Sequence, residues 1–470
     1  MKLSHRFPPV SAVFDDPNLV SAAGLIPVVK LAQDAGLPAL ADQHLSVAGD
    51  KGAHAGDKVM SLVAGMVAGG DSFDDMALLR HGAMGKVFDR PYAPSTLGSF
   101  LRAFTFGHVR QLDAVASRFL SALGASTPVV TPFGQRVLVD IDDTIIEVHG
   151  YAKQGSGYGY SGVRGLNALL ATATTNDGPP VIVAQRLRKG STGSPRGAAR
   201  LVTDALATTA KLRPPTTAGT AGPVLLRADS AFYGRPSIAA ALRAGADVSV
   251  TVRLDPRIRA AITAIDPGAW TAIEYTDAIF DQATNTWISK AEVAEIPFTA
   301  FGSKRASEQV AGRLVVRRIP DLNTVAAPGQ STLFDTWRFH AFFTTTDPDL
   351  QDTVAADKTH RGHAIIEQVH ADLKSSALAH LPSGKFTANA AWLVLAVIAF
   401  NLTRAAASVT GPSLAKATTA TIRRKLITVP ARIASSARQL KLHLPTGWPW
   451  QNAWTELFIQ TCGPPRPVTP

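Results

Sequence analysis

The stretch VLVDIDDTIIEVHG, residues 137–150, sets Asp140, Asp142, Asp143 and Glu147 into what otherwise reads as a buried strand. Strand side chains alternate faces, so Val137, Val139 and Ile141 share one face and Asp140 and Asp142 the other. Like charges on one face repel, and burying either without a partner is costly. A carboxylate pair at a strand end is a common way to hold a hard divalent cation such as Mg2+. The plain alternative is a solvent-facing edge, with Asp143 and Thr144 starting a turn. A further acid, Asp229, ends the apolar run VLLRADS at 224–230. Another lies in HRGHAIIEQVHADLK at 360–374. Counted from Glu367, His363 is four residues before, His370 three after and Lys374 seven after, so all share one helical face. His360 lies one turn further back, and Ile365, Ile366, Val369 and Leu373 fill the other side. The plain alternative here is a solvated charged face.

Three carboxylates from separate segments can converge on a pair of Mg2+ ions that cut or join a phosphodiester. Other patterns compete. Asp140-Ile141-Asp142-Asp143-Thr144 fits the D-x-D-x-T of haloacid-dehalogenase-like phosphatases, with Asp140 as nucleophile and Asp142 as general acid. That family needs a later acid pair at a strand end, and Asp229 stands alone. Gly157-Tyr158-Gly159-Tyr160-Ser161-Gly162 fits G-x-G-x-x-G, but a strand follows it where a dinucleotide site needs a helix. Lys153 and Arg164 flank this loop within reach of a phosphate. Glu367-x-x-His370 lacks the second copy of a di-iron bundle, and the zinc motif H-E-x-x-H is absent.

The elements that must carry these residues follow from periodicity. Residues 18–125 have helical spacing, with Ser95 or Thr96 as a cap. From 136 the order is β-β-β-α-β-α-β, the first three strands joined by short Gly-rich or Asn-Asp-Gly links that favour antiparallel neighbours. Residues 255–345 are strand-rich, and a helical region follows. The run ANAAWLVLAVIAF at 388–400 is short for a bilayer span and reads as a buried helix. The Pro- and Trp-rich tail 446–470 is expected to be irregular.

The 470 residues are 46% hydrophobic, enough for more than one core, and carry 47 Lys and Arg against 36 Asp and Glu, a net +11. A basic balance suits a polyanion such as nucleic acid. Arg423 to Lys425 with Arg432, Arg438 and Lys441 form one basic segment, and Arg313, Arg317 and Arg318 another, both suited to backbone contact with DNA. The one cysteine, Cys462, excludes an intrachain disulfide framework or Cys-based zinc site. No signal-peptide core opens the chain, so a cytoplasmic, nucleoid-associated protein with no membrane partner is expected.

VLVDIDDTIIEVHGYAKQGSGYGYSGVRGLNALLA, LLRADSAFYG and HRGHAIIEQVHADLK, in this order, resemble a DDE insertion-sequence transposase, and the insertion sequence thirteen-eighty family in particular. The resemblance covers most of the chain. It implies an α/β fold: a ribonuclease-H-like catalytic core, β-β-β-α-β-α-β-α, over 131–254 and 346–410. A helical N-terminal domain (1–130) for DNA binding or dimerisation would precede it. A β-rich insertion (255–345) would interrupt it, and a basic region (411–470) would follow. Carried over by motif, the catalytic and metal-holding acids are Asp142, Asp229 and Glu367, with Asp140 as a second candidate on the first strand. The cofactor would be Mg2+ or Mn2+. The partners would be terminal inverted repeats, target DNA and a second copy of the chain. In the signature Tyr-x2-Arg-x3-Glu-x6-Lys, the Glu and Lys match as Glu367 and Lys374. His360 and His363 replace the Tyr and Arg, with Arg361 close by. These, with Lys153 and Arg164, are the expected DNA or phosphate contacts. The two histidines are also consistent with a catalytically decayed, DNA-binding remnant. Trp270, Trp287 and Trp337 are candidates to hold a flipped base, or else core residues.

Overall fold

A computed structural model describes residues 10–89, 91–150, 152–213, 222–281, 286–320, 337–436 and 439–463. After a two-residue strand β1 (Leu19–Val20) come helices α1 (Leu25–Asp34), α2 (Leu37–His44), α3 (Ala55–Ala68), α4 (Pro94–Arg102) and α5 (Phe106–Ser126). Gly36, at φ 77°, separates α1 from α2, a backbone region glycine enters without a Cβ clash. The expected caps are not used: α4 starts at Pro94 behind Ala93, since proline is already fixed near helical φ. The side-chain cap lies one helix later. Thr105 accepts from the His108 backbone N–H, and the His108 ring accepts from that of Thr105.

The sheet follows: β2 (Val137–Glu147), β3 (Gly157–Tyr158), β4 (Arg164–Thr174) and β5 (Val181–Lys189), then α6 (Ala198–Leu212), β6 (Val224–Ala228), α7 (Arg235–Arg243) and β7 (Asp247–Thr251). The expected β-β-β-α-β-α-β order is present, with β3 as a small addition. Helix α8 (Pro256–Thr263) leads to β8 (Thr271–Asp281), β9 (Thr286–Ala300), β10 (Val310–Pro320) and β11 (Trp337–Thr344). All these strands join one ten-stranded sheet, ordered β3-β4-β2-β6-β7-β11-β10-β9-β8, with β5 also paired to β4. Strand β2 is antiparallel to β4 and parallel to β6, and β6 is parallel to β7. The four later strands continue the sheet through the antiparallel β7–β11 pair.

Helices α9 (Thr353–Arg361) and α10 (Ile365–Lys374) are linked by a 3₁₀ turn at Gly362–Ala364. Then α11 (Phe386–Val409) runs through the core, packed on α3, α5 and β5. It is long and apolar enough to cross a membrane, yet its most apolar window is wholly buried in the fold. Asn401 fixes it to the edge strand by accepting from the Ile182 N–H at 2.9 Å and donating to the Ile182 carbonyl at 2.8 Å. Near the end, β12 (Ala431–Ser436) and β13 (Gln439–His443) form a separate sheet with β1. The tail differs from expectation. Residues Gln451–Cys462 are helical and bury Trp454 and Leu457, because apolar side chains three apart give the segment a core face.

Candidate active site

Parallel pairing of β2 and β6 matches Asp140 with Arg227 and Ile141 with Ala228. The next step along both strands brings Asp142 level with Asp229, where β6 ends. Both lie on the Asp140–Arg227 face, since they are two residues further along their strands. Two carboxylates thus stand level at the ends of adjacent parallel strands.

The acids of this region sort by partner. Asp140 is fully buried, and both its oxygens are taken: Arg227 donates Nε to Oδ1 at 2.7 Å and Nη2 to Oδ2 at 2.8 Å. His363 Nδ1 lies 2.9 Å from the same Oδ1. Burial alone would raise the Asp140 pKa, but the Arg227 charge and the His363 bond outweigh it and hold it low. Asp143, on the opposite face, is also buried. It accepts from Arg188, from Asn167 at 2.6 Å and from Ser194 at 3.0 Å. Asp142 has no Arg or Lys partner among the described residues. It accepts from the Asp143 backbone N–H at 2.7 Å, and His370 Nδ1 stands 3.6 Å away. Burial raises its pKa to about 7. The Asp143 N–H and His363 oppose the rise, and the charges of Asp229 and Asp143 add to it. Asp229 likewise has no Arg or Lys partner among the described residues, and its Oδ1 accepts from the Ala231 N–H at 3.0 Å. Its pKa is raised too, mainly by burial.

Helix α10 lies across β2. His363 meets Asp140, His370 approaches Asp142, and Lys374 Nζ donates to Thr144 Oγ1 at 2.9 Å. Glu367 sits on the same face between the two histidines. It is exposed and makes no hydrogen bond or ion pair among the described residues. Among those residues no three His, Cys, Asp or Glu side chains stand close enough to hold a metal ion. Asp142 and Asp229 therefore stand level on adjacent strands, and Glu367 is on the facing helix, but the three carboxylates do not close into one cluster.

The chain matches the family described as transposase DDE domain group 1 over residues 4–462. It belongs to this DDE transposase family. No curated protein matches it. Family membership brings transposition and DNA recombination as the activity, and DNA as the partner.

The remaining expected contacts of the transposase are redistributed. Asp140, the second candidate for the first acid, has no open oxygen because Arg227 and His363 occupy both. His360 is stacked on Phe342 at 4.1 Å and bonded to Ser249 and Thr251 at 2.8 and 3.0 Å. Burial lowers its pKa to about 3, so it stands neutral between β7 and β11 and offers no charge to a phosphate. Arg361 Nε pairs with Asp357 at 2.8 Å. Lys153 donates to the Leu381 carbonyl, and Arg164 to Gly150 at 2.6 Å and Ser156 at 3.0 Å, so both brace the loop at 150–164. In the second basic segment, Arg313 is buried against Glu295, Thr346 and Gln351. Arg318 pairs with Glu292 and lies between the rings of Trp270 and Trp337, at 4.1 and 4.4 Å. Those two indoles are thereby engaged inside the fold. Arg423 donates to Val67 O at 3.3 Å and Arg432 pairs with Asp16 at 3.3 Å, while Lys441 is exposed. Arg438 and the Trp287 side chain lie outside the described residues. Sequence reasoning missed Arg227, Arg188 and Asn167, the partners that separate committed acids from open ones. The only signal for Arg227 was a basic residue in an otherwise apolar strand.

Proposed function

We propose that this transposase cuts and joins the ends of an insertion sequence using Asp142, Asp229 and Glu367 as its acid triad, with Mg2+ or Mn2+. The observation that carries this is the sorting of the acids: Asp140 and Asp143 are neutralised by buried arginines, whereas Asp142 and Asp229 stand level on adjacent parallel strands with no Arg or Lys partner among the described residues. A pair of raised-pKa carboxylates with oxygen-only donors is chemically suited to a hard divalent cation, which would relieve their repulsion. Asp142 and Asp229 would hold it, completed by Glu367 from α10. When bound, such ions supply Lewis acidity at the scissile phosphate and a more acidic water or 3'-hydroxyl.

The protein's own groups have separable tasks. Arg227 and His363 fix Asp140, and so the strand beneath Asp142. Lys374 holds α10 to β2 through Thr144 and keeps a positive charge beside the site for a phosphate. Antiparallel β5-β4-β2 continued by parallel β6 and β7 supports a ribonuclease-H-like core. The narrower place in the insertion sequence thirteen-eighty group rests on the resemblance of the stretches beginning VLVDIDDTIIEVHG, LLRADSAFYG and HRGHAIIEQVHADLK, and a dimer on the need to hold two ends. The phosphatase reading gains no support, since its nucleophile would be the buried, doubly bonded Asp140. The test is DNA cleavage by Asp142→Ala, Asp229→Ala and Glu367→Ala. Each is expected to lose cutting and keep DNA binding, and normal cutting by any of them removes that residue from the triad.

A further inference from the structure

The loop between β2 and β4 carries two tyrosines that the fold leaves in solvent. Tyr158 is 67% exposed and Tyr160 72% exposed, far more than their size favours. Their backbone is nevertheless tightly held. Tyr158 pairs with Arg164 in the β3–β4 ladder. The Gly190 N–H donates to Gly155 O at 2.9 Å and the Gly162 N–H to Gly159 O at 3.1 Å. A Cβ on Gly190 would come within 2.0 Å of Gly165 O, and one on Gly159 within 2.7 Å of Gly190 O. The glycines thus let three backbone segments touch and fix the loop from behind. Rings presented from a fixed backbone lose little entropy when something stacks on them.

The place is as informative as the exposure. Tyr160 lines an open cleft of about 440 Å3 together with Thr144, Glu147 and Lys374 and the apolar Ile145, Val163 and Leu378. Thr144 is two residues beyond Asp142 on β2. The Tyr160 hydroxyl pKa is raised, first by desolvation and then by the charges of Asp143, Asp142 and Asp229. An aromatic ring and an ammonium in one cleft, two residues along β2 from Asp142, match the face of a base and the phosphate next to it.

We propose that Tyr160, assisted by Tyr158, is a base-stacking platform that positions the DNA end by holding a nucleobase next to the phosphate to be cut. The inference rests on the DNA-cutting function proposed above. Stacking reads no hydrogen-bond pattern, so the platform orients the end without choosing its sequence.

The experiment uses the full chain and a duplex carrying the element's terminal repeat, with 2-aminopurine beside the cut. Bound wild-type protein quenches the probe. Tyr160→Ala and the Tyr158→Ala/Tyr160→Ala pair lose the quench and cut roughly ten-fold more slowly or worse, the range of one lost stacking contact. Tyr160→Phe keeps both. Alanine variants that quench and cut like wild type overturn the platform, as does Tyr160→Phe failing as Tyr160→Ala does, which would make the hydroxyl the active part. A wild-type protein that binds the end, quenches the probe and never cuts contradicts the proposed function while supporting the platform.

Discussion

At the scale of the residue, a carboxylate's partner decides its role. Asp140 and Arg227 are a buried, doubly hydrogen-bonded pair, at 0% and 2% exposure. Removing one member of such a pair leaves an uncompensated charge, so Arg227→Ala is expected to cost about 3–5 kcal/mol in a urea titration. Asp140→Leu/Arg227→Met should recover most of that loss, and a double variant as unstable as the single would contradict the pairing. His360 gives a pH signature. It is neutral in the fold, with a pKa lowered to about 3 by burial and by the charges of His363, Arg227 and Arg317, against Asp140. The unfolded chain takes up its proton near the ordinary value of 6.5, so the stabilisation is complete above that pH and is lost as pH falls toward 3. The slope is about 1.4 kcal/mol per pH unit in that window. His360→Gln should lessen the slope of the denaturation midpoint between pH 6.5 and 5, leaving the part due to His370, whose pKa burial also lowers to about 3, and an unchanged slope would contradict the buried, neutral His360. Strand alternation made the shared face of Asp140 and Asp142 legible in the sequence. It could not show which of them was open, because Arg227 is a cross-strand neighbour set by register.

At the scale of the element, β2 is the axis of the site. It takes Arg227 from β6, Asn167 from β4, and His363 and Lys374 from the α10 region. Helix α11 anchors the edge strand β5 through Asn401, whose side chain supplies both a donor and an acceptor to Ile182. Asn401→Ala leaves both peptide groups buried and unpaired, at about 1–3 kcal/mol for each. A loss of several kcal/mol in thermal or urea unfolding is therefore expected, and a change under 0.5 kcal/mol would mean that water replaces the amide. The β-β-β-α-β-α-β order was readable because turn residues separate short apolar runs, and α11 because its apolar run has no polar face. The tail helix was not readable. Its Trp and Pro content suggested irregular chain, while burial of Trp454 and Leu457 decides the outcome. Nor did the charge of Arg313 and Arg318 reveal that both are spent on internal acids and indoles.

At the scale of the molecule, a net charge of +11 on a DDE transposase predicts DNA binding that weakens steeply with salt. Neutralising 6–10 phosphates would lower affinity by roughly 10^3–10^5 between 50 and 200 mM salt. A flat dependence in a binding titration would show that few of the exposed cations meet the backbone. The central claim is narrower. The exposed Glu367 contributes little to the fold, so Glu367→Ala should change stability by less than about 0.5 kcal/mol. It is placed on the helix that faces Asp142, so it should be indispensable to cutting. The most direct measurement is therefore cleavage of a duplex carrying the element's ends, in Mg2+ or Mn2+, by wild type and Glu367→Ala at equal DNA occupancy. The account predicts cuts at the element boundary by wild type and none by the folded, DNA-bound variant. Equal cutting by both would contradict it.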